Sequence, residues 1–248
     1  MCIFLLLLVA CPAAAQLRYV GIARDARGDV VYREEHWLPN DDPDRGRVVL
    51  YRCPDGRPFA RKQLTSSGDP IAPDYDYVDA RTGYREGLRT VAGGREVFWR
   101  PRAGEALRSK RLDAAPGLVA DAGFDAFVRE RWPQIDARGR RAPFLLPSRL
   151  AAVDLRLHDA GMHRIDGRDV RRFRLGLPGL LGLALPEVEL DYDARDRRLL
   201  RFRGIGSVRD ARGRPQWLRI DFPPERVRVS PTAVAEAGRT VLSRTCSG

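Results

Sequence analysis

The groups that could do chemistry in this 248-residue chain are few: three histidines, four cysteines and scattered carboxylates. Glu34, Glu35 and His36 crowd together beside Trp37, and a period of two puts Glu34 and His36 on one face with Val30 and Tyr32. A carboxylate and an imidazole on an otherwise apolar face can act as a general acid/base pair or anchor a ligand. The plainer expectation is a strand end emerging into solvent. His158, on the wet side of a strand, and His163, next to a turn, read as surface residues. Asp74, Asp76 and Asp79, interleaved with Tyr75 and Tyr77, offer the oxygen ligands that Ca²⁺ takes. They lack the loop glycine and distal glutamate of an EF-hand, and strand geometry sends Asp79 to the opposite face, so hairpin solvation is expected there instead. Asp41, Asp42 and Asp44 around Pro43 read as an exposed loop.

Gly-x-Ser-x-Gly, His-Glu-x-x-His, a phosphate-binding glycine loop and a dinucleotide fingerprint are all missing from the sequence. The expectation is therefore a non-catalytic protein with no cofactor and no metal. Forty-four cationic against 33 anionic side chains leave a net charge of +11. Lys62 and Lys110 are the only lysines, and the rest are arginine. Arg171, Arg172 and Arg174, and Arg195, Arg197, Arg198, Arg201 and Arg203, are dense enough for bidentate phosphate contacts. Solvated strand faces account for most of this charge. Beyond that, an exported protein meets anionic lipid head groups rather than nucleic acid, and its protein partners are not specified.

Export is read from residues 1–15. An apolar core from Ile3 to Ala10 followed by small residues around Ala13 and Ala15 has the form of a signal peptide cleaved before Gln16, although its first residues lack Lys or Arg. Leu8-Val9-Ala10-Cys11 also fits a lipoprotein signal, with Cys11 acylated as the mature N-terminus. A third reading is an uncleaved buried segment. Either of the first two takes the protein to the periplasm or outside the cell. Cleavage leaves Cys53 and Cys246, which in an oxidising compartment could pair; the alternative is a frayed, unpaired Cys246. Neither has a neighbour at zinc-site spacing.

These residues must be positioned by strands. The chain is 44% apolar, without the run of about 20 residues a membrane helix needs. Asp-Ala-Arg recurs at Asp25, Asp79, Asp136, Asp193 and Asp210, three times followed by glycine, which is tight-turn chemistry. Between turns the period is two: Val153, Leu155 and Leu157 alternate with Asp154, Arg156 and His158; Val188, Leu190 and Tyr192 alternate with Glu189 and Asp191; and Leu218, Ile220 and Phe222 alternate with Arg219 and Asp221. A looser alternation covers 198–208, and further strands are predicted over 17–24, 30–37, 47–53, 58–64, 75–79, 84–91 and 95–100, for ten to twelve in all. One amphipathic helix is predicted over 121–132, capped by Asp121, with Phe124, Phe127, Val128 and Trp132 on its apolar face and Pro133 stopping it. Residues 231–248 read as a C-terminal tail or short helix after a domain spanning 16–230.

A long antiparallel meander with one dry face must curl, stack or be covered. The fold expected is mainly β: a single meander curled into a half-barrel, with the central helix on its concave face. The exported N-terminus, the Arg- and Asp-rich hairpins, the Asp121-Ala-Gly-Phe-Asp-Ala-Phe helix and the closing Leu190-Asp-Tyr-Asp and Leu199-Leu200 strands resemble proteobacterial periplasmic proteins related to the outer-membrane lipoprotein carriers (Lol-type half-barrels). The resemblance implies an incomplete barrel with a helix plugging an apolar hollow, which in the carriers holds acyl chains. It brings no catalytic residues. The arginine excess and the Gly/Pro-broken stretch 175–186 depart from the carriers, so transport of lipoproteins is not carried over. That stretch reads as a buried crossover or as a lip touching lipid. The lining expected for a lipid or other amphipathic ligand is Phe124, Phe127, Trp132, Phe173, Leu190 and Tyr192, with Leu200, Phe202, Leu218, Ile220 and Phe222, and Glu34 and His36 are polar anchors. The competing functions are a ligand-free scaffold of the envelope and a hydrolase or lyase using Glu34 and His36.

Overall fold

The computed structural model describes residues 16–39, 42–65, 68–112, 116–178 and 187–246. The leader at 1–15 with Cys11, and most of the 175–186 stretch, lie outside them. A first meander comprises β1 (Gln16–Arg24), β2 (Val30–Leu38), β3 (Gly46–Arg52), β4 (Pro58–Thr65), β5 (Asp74–Asp79), β6 (Tyr84–Val91), β7 (Gly94–Arg100) and β8 (Arg108–Leu112). The chain then crosses through helix α1 (Gly123–Arg131) to a second meander: β9 (Arg140–Leu146), β10 (Ala151–Ile165), β11 (Arg168–Gly176), β12 (Val188–Asp193), β13 (Leu199–Arg209) and β14 (Pro215–Asp221). A short β15 (Val227–Val229) pairs with β1, and helix α2 (Ala233–Arg239) follows.

The two meanders join where β1 pairs with β14, Ala23 opposite Ile220. The product is one antiparallel sheet of fifteen strands, open between β8 and β9 and curled into a half-barrel. No helix among the described residues is long and apolar enough to cross a membrane.

The turn chemistry works locally as the residue types dictate. The Asp25 carboxylate accepts from the Arg27 and Asp29 amides at 2.9 and 3.0 Å, and Asp210 repeats the arrangement with Arg212 and Arg214 at 2.9 and 2.8 Å. Fifteen strands exceed the ten to twelve expected. The four that were not predicted lack the alternating signal: β8 reads Arg-Ser-Lys-Arg-Leu, β15 has three residues, β11 buries Val170 and Phe173 three positions apart, and β9 carries Pro143. Proline is tolerated there because β9 is an edge strand. Its free side is partly covered by the crossing chain, with the Val119 amide donating to the Pro143 carbonyl and the Leu145 amide to the Val119 carbonyl, both at 2.8 Å.

The central helix is shorter than predicted, and Asp121 does not cap it. Residue 122 holds the N-cap position without a side-chain hydrogen bond, while Asp121 takes a left-handed φ of 45° and turns its carboxylate to Lys62. Pro133 ends the α-helix through a 3₁₀ turn over Trp132–Gln134. The C-terminal segment is a docked helix: α2 packs Val234 and Ala237 on Val48 and Leu50 of the outer face of β3. Strand β3 is thus covered on both sides, since Val49 and Tyr51 face the hollow. Cys53 and Cys246 form a disulfide, their Cα atoms 5.5 Å apart.

Candidate functional site

The concave face is filled at its ends and open in the middle. At one end Phe59, Tyr32, Tyr51, Tyr77 and Tyr84 pack edge to face in that order, with successive ring centroids 5.5–6.2 Å apart. At the other, α1 lays Phe127 and Val128 against Phe144, Leu157, Phe173, Leu190 and Tyr192. Trp132 locks that end: it stacks edge-on against Phe173 and Tyr192, with the Arg171 guanidinium 5.0 Å from its ring centroid. Arg171 also donates to the Trp132 carbonyl at 2.6 Å and to that of Ile135 in the turn after the helix, while Arg197 donates to the Arg129 carbonyl in its last turn at 3.3 Å.

Between these ends lies a cavity of about 920 Å³. One wall is apolar: Phe124, Phe144, Leu155, Leu190, Phe202, Ile220 and Phe222 line it, and half-exposed Ile205 stands at its mouth. Of the expected lining, Phe124, Leu190, Phe202, Ile220 and Phe222 face this space. Phe127, Trp132, Phe173, Tyr192 and Leu218 are packed behind it as supporting core. Leu200 does not face it. The β12–β13 register slips between Asp191 and Tyr192, bringing Leu199 opposite Tyr192, and Leu199 takes the inward place that simple alternation gives to Leu200.

The opposite wall is polar and buried. Glu34 and His36 do not emerge into solvent. Both are less than a tenth exposed, and the His36 Nε2 lies 3.2 Å from the Glu34 carboxylate. The imidazole stacks on Tyr19, ring centroids 4.4 Å apart, with the Phe222 edge against it. Burial pushes its pKa below the ordinary value, opposed by the bond to Glu34.

Beside them Arg47 on β3 donates to the Tyr19 hydroxyl at 3.2 Å and faces Asp125 of α1 at 3.7 Å. Burial works against its charge, but Tyr19, Asp125 and Asp121 more than offset this and hold its pKa above the ordinary range. Lys62 on β4 meets Asp121 at 2.5 Å. Tyr192, kept protonated chiefly by burial, donates to the other side of Asp125 at 2.7 Å. The helix therefore contributes Phe124 to the apolar wall and Asp125 to the polar one.

Arg47, Lys62, Asp121 and Asp125 were not among the expected site residues. The available signal was phase: Arg47 shares its strand face with inward Val49 and Tyr51, and Lys62 shares its face with inward Ala60 and Leu64. The three aspartates considered for Ca²⁺ are each engaged by arginine instead: Asp74 by Arg95, Asp76 by Arg85 and Asp79 by Arg81. His163 lies 3.4 Å from Asp191 on the outer face, within an arginine–carboxylate ladder of Arg172, Arg174, Arg203, Glu189 and Asp191. Most of that arginine charge is paired across strands.

Glu86, buried deeper on the same inner face, accepts from the Tyr84 hydroxyl. Burial raises its pKa, partly opposed by Tyr84 and Lys62. The folded protein then holds this proton above pH values at which the unfolded chain releases it. The stabilisation from Glu86 is complete below the unfolded value and is lost as pH rises through the folded one. Glu86→Gln removes the titration, so the variant should gain stability relative to the parent as pH rises from 4 to 8. Urea unfolding across that range checks this; a difference independent of pH contradicts it.

No protein-family model matches the chain, and no curated protein matches it.

Proposed function

We propose that this is an exported cell-envelope protein whose half-barrel binds a hydrophobic or amphipathic molecule, a lipid or acyl chain, without transforming it. The observation that carries the reading is the cavity itself. Its volume of about 920 Å³ falls within the roughly 300–1,000 Å³ usual for small-molecule sites. It is lined on one side by aliphatic and aromatic side chains that the protein leaves uncovered. The Cys53–Cys246 disulfide supports export, because such bonds persist in oxidising compartments. A signal at 1–15, with or without acylation of Cys11, belongs to the same proposal, as does kinship with the lipoprotein carriers. Surplus outer arginines favour approach to an anionic membrane surface.

Gly206 provides a clean test. It lines the cavity in β13, and the nearest atom to a Cβ built there is the Tyr32 hydroxyl at 3.8 Å. Gly206→Phe should fill the hollow while leaving the fold intact, because the ring enters open space and phenylalanine suits a strand. Protein purified without detergent is expected to carry lipid by native mass spectrometry, and to enhance the fluorescence of N-phenylnaphthylamine; the variant should lose roughly ten-fold or more in probe affinity. A ligand-free mass together with no probe uptake by the parent removes the proposal.

One observation favours a second reading, a hydrolase or lyase. Glu34 and His36 form a buried pair facing the same cavity, as a general base and its orienting carboxylate would. On that reading His36→Gln abolishes turnover of a bound ester while leaving uptake intact. If lipid leaves the parent protein unaltered, the cargo reading stands alone.

A further inference from the structure

The polar wall also carries information about the part of the occupant that touches it. Its charges are matched. Arg47 faces Asp125, Lys62 faces Asp121 and Arg129 faces Asp44 at the rim, Arg197 and Arg226 on the same lining lie over the Trp132 and Tyr19 rings, and the neutral His36 imidazole bonds Glu34 without adding a positive charge. Arg47 is the side chain best suited to grip a phosphate or carboxylate, but one of its terminal nitrogens already donates to Tyr19 and the other is turned to Asp125. An anion entering here would lie against Asp121 and Asp125 in a water-poor hollow, where like charges repel far more strongly than in bulk water.

Three buried atoms of this wall have no hydrogen-bond partner among the described residues: Arg47 Nε, His36 Nδ1 and Asp121 Oδ2. Their side chains all line the cavity and are each more than nine-tenths buried. The first is a donor and the last an acceptor, and with Nε2–H given to the Glu34 carboxylate the neutral imidazole presents Nδ1 as a second acceptor. A buried polar atom without a partner costs about 1–3 kcal/mol, so a group that both gives and takes hydrogen bonds is favoured at this wall. A phosphate or carboxylate only accepts, and an ammonium only donates. A hydroxyl or a primary or secondary amide does both without disturbing the charge balance.

We infer that the polar end of the occupant is an uncharged hydroxyl- or amide-bearing group, such as a glycerol, sugar or alkanolamide head, and not an anionic one. This rests on the reading of the trough as a binding site for an amphipathic molecule. It assigns Arg47, His36 and Asp121 to recognition of the head and the Phe202–Ile220 wall to the chain.

The test uses the intact, disulfide-bonded protein and ligands with one common chain: monolauroylglycerol and N-lauroylethanolamine against laurate and dodecyl phosphate. All are added below their aggregation limits and compete with N-phenylnaphthylamine at neutral pH. The neutral pair should displace the probe at concentrations roughly ten-fold or more lower than the anions. Asp125→Asn supplies the second arm. Its side chain is partly exposed, and asparagine can still accept from Tyr192, but Arg47 loses its counter-charge. Laurate and dodecyl phosphate should then gain on the neutral ligands by a similar factor.

Anions binding the parent protein as tightly as the neutral ligands, or an Asp125→Asn protein with an unchanged ranking, would overturn the head-group inference while leaving the cavity reading in place. If neither the probe nor any ligand binds, the cavity reading falls and the inference falls with it. Retention of the disulfide and of the circular-dichroism spectrum confirms that the variant is folded.

Discussion

Replacing Cys53 by alanine and Cys246 by serine is expected to lower the free energy of unfolding by up to about 5 kcal/mol. The bond joins residues 193 positions apart, and closing so long a loop removes more unfolded-state entropy than a short bridge does. The covalent tie also holds a local structure. Between α2 and Cys246 the chain is pinned to β4 by the Ser243 amide on the Pro58 carbonyl at 2.7 Å, and by Arg61 on the Thr240 carbonyl at 2.9 Å. Cys53 itself is fully buried in the aromatic end of the core. Without the tie, α2 is a seven-residue helix, too short to persist alone, and its release uncovers Val48 and Leu50 on the back of β3. Urea unfolding of the parent, with and without reductant, should show the same loss as the variant. A shift below about 1 kcal/mol in both would mean that the terminus is held by its non-covalent contacts and that the bridge adds little.

The same residues show what could be read from sequence and what could not. Turns are written in short words: Asp25 and Asp210 bind amides two and four residues on, an interaction within one segment, so the hairpins and most strands were legible. Strand β3 was legible as a strand, but its second buried face was not, because α2 comes from the far end of the chain to cover it. The apolar wall was recoverable by phase until a one-residue slip in the β12–β13 pairing exchanged Leu200 for Leu199.

The polar wall was the hardest to see, and the reason is general. A charged residue in a strand is read as pointing to water, which holds when one face is wet and the other is packed solid. In a curled sheet around a hollow the inner face has a third condition, buried but unfilled. There Arg47 and Lys62 find partners on α1 or in the turn that enters it, more than fifty residues away in sequence, and Glu34 and His36 find each other two positions apart on the same strand. Composition offered one hint. Lys62 is one of only two lysines among 44 cationic residues, and it holds the inward phase of a central strand.

Lys62→Met is expected to destabilise the protein by about 3–5 kcal/mol, the usual effect of stranding one partner of a buried ion pair. Lys62 is flanked across strands by Val49 and Tyr77, and its ammonium lies 5.7 Å from the Tyr77 ring centroid. Lys62 and Asp121 side chains are 9% and 7% exposed, so the stranded carboxylate would be poorly hydrated. Methionine fills the lysine's volume, which confines the damage to electrostatics, and the stranded carboxylate sits on a residue already in the left-handed region at the root of α1. Adding Asp121→Asn should recover stability to within about 1 kcal/mol of the parent, because removing both charges together can be close to neutral and asparagine tolerates positive φ. A double-mutant cycle in urea measures the coupling, and a single-variant loss below about 1 kcal/mol would show Asp121 to be solvated. The double variant separates two roles of the pair. If Lys62 and Asp121 only fasten the helix to the sheet, restored stability brings back binding of monolauroylglycerol. If the Asp121 carboxylate also receives the ligand's hydroxyl, the protein refolds around a hollow whose apolar wall is intact, binds N-phenylnaphthylamine as before, and still discriminates poorly between a glycerol head and a carboxylate.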